Sequence, residues 1–258
     1  MPPLLKVILI SFGAGVVGTL VGGIIGIIIK RPSKTYISLM LAFAAGAMLG
    51  VSLFELLPEA YDGGGVLPTL IGALLGVGFV LLINVFNKDD CKEVRKPGQS
   101  PDDKTVITTC EKRRLRRMGI TIFIAMALHS LPEGLAIGAG EYLEIGSLLL
   151  GIVFFLHFVP EGLAIAAPMK AAGTKTWKIL LLCAVAGLPA VVGAIAAYYI
   201  GMVDALLSYA FSFAAGAMLY VALSEMLPTA YKYSDRYKLI SVITLAGAFL
   251  IIIFSVAT

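Results

Sequence analysis

Charge is scarce in this sequence. Lys, Arg, Asp and Glu supply 14% of its 258 residues and hydrophobic residues 59%, against about 25% and about 45–50% in soluble domains. That shortfall excludes an ordinary soluble globule. With a mean hydropathy of +0.95 and repeated apolar runs of spanning length, it predicts an all-α polytopic membrane protein. Cysteine is thin as well. Cys91, Cys110 and Cys183 form no CxxC pair and no even framework, so reduced thiols are expected. Histidine is rarer still. There are only 2, and no HExxH element, which counts against a membrane-embedded zinc hydrolase working through metal-bound water.

What is present is a phrase written twice. His129-Ser-Leu-Pro-Glu133-Gly-Leu-Ala-Ile137 is followed by His157-Phe-Val-Pro-Glu161-Gly-Leu-Ala-Ile165, and these hold both histidines. On a helix His129 shares a face with Glu133, and His157 with Glu161. Pro132 and Pro160 lie between them and free the carbonyls of Leu128 and Leu156 one turn earlier. Two antiparallel helices facing one another would bring two imidazoles and two carboxylates to one point. That is the ligand mix of a divalent first-row metal site.

The apolar runs predict eight spans, at about 4–29, 36–57, 66–86, 118–139, 145–168, 177–200, 205–228 and 239–257. They form a single transmembrane domain over 1–258. Between the third and fourth spans, residues 87–117 are charged, contain Pro97-Gly98 and Pro101, and read as a flexible loop. The loop ends in the basic cluster Lys112–Arg117, whose expected partners are the topology and anionic lipid rather than nucleic acid. Every Lys and Arg except Lys6 falls on one side of this arrangement. The opposite turns hold Glu59, Asp62, Glu141, Glu144 and Asp204 and no base. By the positive-inside rule the basic side is cytoplasmic, the 87–117 loop with it, and both termini lie outside.

A second repetition is longer. Phe43-Ala-Ala-Gly-Ala-Met-Leu49 recurs as Phe213-Ala-Ala-Gly-Ala-Met-Leu219, and the match runs on through Glu55/Glu225, Pro58/Pro228 and Tyr61/Tyr231. The two copies lie on spans of opposite direction. This is an inverted repeat, as in secondary transporters with a midplane substrate site, and it predicts a 3+2+3 arrangement with the histidine spans in the centre. Carboxylates inside a membrane cost about 2.5–3.5 kcal/mol each and persist where they face cavities or partners. Glu133 and Glu161 would neutralise a dication at the site. Glu55 and Glu225, near opposite faces, are either interfacial caps or symmetry-related acids that receive the ion on entry and release. Met48 and Met218 stand at equivalent places, where methionine usually serves packing and one of the two could lend a soft thioether as an auxiliary ligand.

These residues resemble the ZIP family of divalent metal transporters, and its prokaryotic short-loop branch in particular. The carriers are the paired H-x-x-P-E-G phrases with the Ala-Ala-Gly-Ala-Met and Glu-x-Leu-Pro elements of spans two and seven. The resemblance implies a multi-pass protein of the plasma or inner cell membrane that moves a metal toward the cytoplasm by alternating access, with homodimers and a site-bearing bundle sliding on a scaffold. It places the metal ligands on His129, Glu133, His157, Glu161 and Met48. The metal is then cargo rather than cofactor. Zn2+ comes first, and Fe2+, Mn2+, Co2+ and Cd2+ suit the same ligands. Two-metal relatives add ligands where this chain has Ser130, Phe158 and Ala190, so a single metal is expected.

Overall fold

The computed structural model describes residues 2–29, 32–86, 108–139, 146–200 and 204–257. Every regular element among them is helical. The order is α1 (Pro3–Ile27), α2 (Lys34–Gly64), α3 (Val66–Phe86), α4 (Thr109–Ala139), α5 (Gly146–Ala171), α6 (Thr176–Ile200), α7 (Asp204–Val221, Ala222–Met226 and Leu227–Tyr233 in unbroken succession) and α8 (Tyr237–Ala257). Among the described residues 7 helices are long and apolar enough to cross a membrane, while α8 offers a shorter apolar stretch, Tyr237–Ile253. Gly65 at φ 76° and Gly173 at φ 81° make the tight turns after α2 and α5, in a backbone region that side chains with a Cβ rarely enter.

Three boundaries differ from the sequence expectation. Spans two and seven do not stop at Leu57 and Pro228 but run on to Gly64 and Tyr233. A π-helical turn precedes each proline, Ser52–Leu56 before Pro58 and Ala222–Met226 before Pro228. The wider turn accommodates a residue that donates no backbone hydrogen bond. The loop expected over 87–117 also ends early, since Thr109–Arg117 forms the first turns of α4. The Glu111 side chain accepts from the Thr108 amide at 2.8 Å, and the Glu111 amide donates to the Thr108 hydroxyl at 3.2 Å. This reciprocal capping box overrides the charge that marked the segment as loop. Residues 87–107 and the acidic turn at Glu141 and Glu144 lie outside the described residues.

The thiols need a correction too. Cys183 is free and buried, but Cys110 is disulfide-bonded. Bridging follows the distance between sulfurs in space, which spacing along the chain does not report.

Packing is organised by pairs of helices distant in sequence. The most extensive interfaces are α2 with α7, α1 with α5, α4 with α6 and α3 with α7, followed by α1 with α6 and α2 with α8. Small residues make them possible. A Cβ at Gly46 would collide with the Thr244 carbonyl of α8, and one at Gly216 with the Ala73 carbonyl of α3. Two buried hydroxyls tie α2 to α7 in matching fashion. Ser38 donates to the Ala230 carbonyl at 2.7 Å and Ser208 to the Ala60 carbonyl at 2.6 Å. The helices thus gather into two groups, α1/α4/α5/α6 and α2/α3/α7/α8. They meet where α2 packs on α5 and α7 on α4.

Candidate metal centre

The two histidine phrases occupy the interiors of α4 and α5, with Pro132 and Pro160 inside continuous helix. The glycine after each glutamate lies against a backbone. A Cβ at Gly134 would strike the Ala190 carbonyl of α6, and one at Gly162 the Thr19 carbonyl of α1. Each ligand-bearing turn is therefore pressed against its own neighbouring helix, which holds the adjacent carboxylate in place.

His129, Glu133, His157 and Glu161 are almost wholly buried. One ligand atom from each lies within 4.8 Å of all the others. His129 Nε2 is 2.7 Å from Glu161 Oε1, and His157 Nε2 is 2.7 Å from Glu133 Oε1 and 2.9 Å from Glu161 Oε1. His129 Nδ1 is 3.0 Å from the Ala125 carbonyl. Donation there would leave the Nε2 lone pair facing the site, as a metal ligand requires. The two contacts of His157 Nε2, unlike that of His129 Nε2 with Glu161, are short without being aligned as hydrogen bonds. Both oxygens of Glu133, Oε2 of Glu161 and Nε2 of His157 have no hydrogen-bond partner. Each such buried group costs about 1–3 kcal/mol, and more when charged. A cation at their common focus would satisfy all of them at once.

The family model described as ZIP Zinc transporter matches residues 87–255. The chain is 30% identical over 234 residues to the zinc transporter ZupT of Chlorobaculum parvum, covering 84% of this chain and 85% of that one. It is 31% identical to ZupT of Clostridium perfringens over 264 residues, with 92% and 90% covered. ZupT of Escherichia coli O127:H6 is 32% identical over 219 residues, with 82% of each chain covered. The chain belongs to the ZIP family. Its relatives are transporters and not enzymes, and nothing in these likenesses favours the hydrolase.

Against this ZIP frame the other expected positions are informative. Ser130 gives its hydroxyl proton to the Met126 carbonyl of its own helix at 2.7 Å. Phe158 is fully buried, its ring 5.9 Å from that of His157 in an edge-on contact, and Phe154 flanks the same imidazole at 6.3 Å. Ala190 is fully buried, with its backbone against Gly134. Met48 lies buried in the main core on α2, the helix that packs on α5, while its counterpart Met218 accepts from Ser52 Oγ at 3.7 Å.

Glu55 and Glu225 are not brought into the four-residue cluster. Both are half-buried on the π-helical turns, a distortion frequent at functional sites. Glu55 lies within electrostatic reach of His157 and Glu133. Glu225 is held by the Asn84 side chain and faces Arg117. Sequence reading passed over Asn84 and Thr121 and took Arg117 only as part of the basic cluster. The signal available was an amide near the end of an otherwise apolar span.

Proposed function

We propose that the chain is a secondary transporter that carries a divalent transition-metal ion, Zn2+ first, through the membrane toward the cytoplasm. The observation that carries this reading is the convergence of four buried ligand atoms within 4.8 Å on two helices of a membrane protein. Two carboxylates there match the charge of one dication, which removes most of the electrostatic barrier to crossing. ZIP membership supports the class of cargo.

His129, Glu133, His157 and Glu161 hold the ion, with Met48 or water completing its shell. Glu55 passes it in from the acidic face and Glu225 takes it on the basic face, which is cytoplasmic by the positive-inside rule. The eight helices form a 3+2+3 inverted repeat that exchanges α1 with α6, α2 with α7, α3 with α8 and α4 with α5. The packing supports this, since the exchange turns the α1–α5 interface into α6–α4 and α2–α8 into α7–α3. It also carries the Ser38–Ala230 bond into Ser208–Ala60. The α1/α4/α5/α6 group moves with the ion against α2/α3/α7/α8, and the assembly is a homodimer in the plasma or inner membrane.

Purified protein in sealed liposomes provides the test. Zn2+ should accumulate inside, with Fe2+, Mn2+, Co2+ and Cd2+ added singly as competitors to rank the cargo. Liposomes that take up none of these ions faster than protein-free ones would refute the proposal.

A further inference from the structure

The half of α4 nearest the basic loops is tied to the opposite helix group by polar contacts. Lys34, at the start of α2, pairs with Glu111 at 3.1 Å, with side chains only 14% and 12% exposed. The Lys34 ammonium also stands 5.7 Å from the ring centre of Tyr233 at the end of α7. Further along α4, Thr229 of α7 donates to Met118 Sδ at 3.6 Å and Thr121 donates to Asn84 of α3 at 3.4 Å. Asn84 in turn holds Glu225, which faces Arg117.

This clasp cannot be copied on the other face. The 28-residue step from His129 to His157 carries Glu111 to Ala139, Arg117 to Ile145 and Thr121 to Leu149. None of those side chains can repeat the ionic or hydroxyl contact. By sequence, then, the repeat does not carry the Glu111 side of the clasp to the acidic face.

We infer that Lys34 and Glu111 are positioning residues of the transport cycle, forming a clasp that holds the metal-bearing α4 against α2 and α7 and keeps the basic face shut. The inference rests on the transport reading. Glu111 lies eighteen residues from His129, about 27 Å along the helix, so the pair acts on the ion only through the movement of α4. Release toward the basic loops requires the pair to part and frees Glu225 from Asn84 and Arg117 to accept the ion. The same pair biases the resting protein toward the state open to the acidic face.

Three variants separate the clasp from the fold. Lys34→Gln removes one charge. Glu111→Gln removes the other while keeping a capping-box side chain at that position. Lys34→Arg keeps the charge. Hydrogen–deuterium exchange on the full chain in lipid nanodiscs should speed up about tenfold at 115–125 and 222–229 in both glutamine variants, which corresponds to about 1.4 kcal/mol. Exchange at 52–60 should stay at the original rate, and Lys34→Arg should behave as the unaltered chain. In liposomes the maximal Zn2+ uptake rate per protein should shift severalfold in the glutamine variants, with the half-saturating concentration unchanged. Unchanged exchange, or a rise of equal size at both faces, overturns the clasp. So does a half-saturating concentration that moves at constant maximal rate. The exchange measurement needs no transport, so the clasp can fail while uptake succeeds, and uptake can fail while the clasp stands.

Discussion

Replacing Glu133 with Gln keeps the volume and one ligating oxygen while deleting a single negative charge. The four ligand atoms lie within 4.8 Å of one another. An ion among them is then roughly 3 Å from each, and a contraction of about 1 Å reaches the usual zinc–ligand distance of about 2.0–2.2 Å. Two unit charges about 3 Å apart interact by about 5.5 kcal/mol at an effective dielectric constant near 20, so the lost term for a dication is about 11 kcal/mol before desolvation. The carboxylate's own burial offsets much of this. The net cost of breaking a buried ionic partnership is about 3–5 kcal/mol, equivalent to roughly two to three and a half orders of magnitude in affinity. Calorimetric titration of Zn2+ into purified protein reads the change directly, with membrane abundance checked alongside. The Glu133→Gln protein should reach the membrane, bind Zn2+ at least about a hundredfold more weakly and transport little. Unchanged affinity in that variant would mean that the ion is held elsewhere.

Four more expectations follow from the same geometry. Crystals soaked in metal should show one strong anomalous peak between α4 and α5, because the buried Phe158 and Ala190 offer no further ligand; two full peaks about 4 Å apart would contradict this. Glu55→Ala and Glu225→Ala should each slow flux without abolishing it, and wild-type flux in either would remove that acid from the path. Gly162→Ala sets a methyl against the Thr19 carbonyl and should lower stability by about 1–3 kcal/mol, visible as a reduced melting temperature in detergent. A cysteine at Asp62 should react with an impermeant thiol reagent applied to intact cells, while one placed at 100–104 should not; the reverse pattern would invert the orientation.

The clustering of four polar side chains was legible in the sequence because a membrane hides polar residues poorly. His129, Glu133, His157 and Glu161 interrupt apolar helices at a spacing that only a shared face explains. Helix number was legible for the same reason, through the alternation of apolar runs and charged loops. Helix ends were harder. Pro58 and Pro228 resemble stop signals, yet a π-helical turn before each lets the helix continue. The charge of Lys112–Arg117 resembled loop, while a two-residue cap at Thr108 and Glu111 was already starting α4. Side-chain networks were least visible. Neither composition nor periodicity shows that Asn84 reaches Glu225 or that Lys34 meets Glu111, because those pairs join helices far apart in the chain.

That remoteness governs how the protein is made. Ser38 waits for a carbonyl 192 residues further on, and the Ala60 carbonyl for a hydroxyl 148 residues away. At roughly 5–20 residues per second of synthesis, the first interval lasts about 10–40 s. Throughout it α2 must stand in the bilayer without α7 or α8, stable as a lone helix because its own backbone hydrogen bonds are complete. The small-residue grooves meanwhile face lipid, and the wrong helix can settle in them. The chain emerges as a set of finished rods whose proper companions arrive last, so a truncation that removes α7 and α8 alone should strip α2 and α3 of their main partners and expose the unfinished half to quality-control proteolysis.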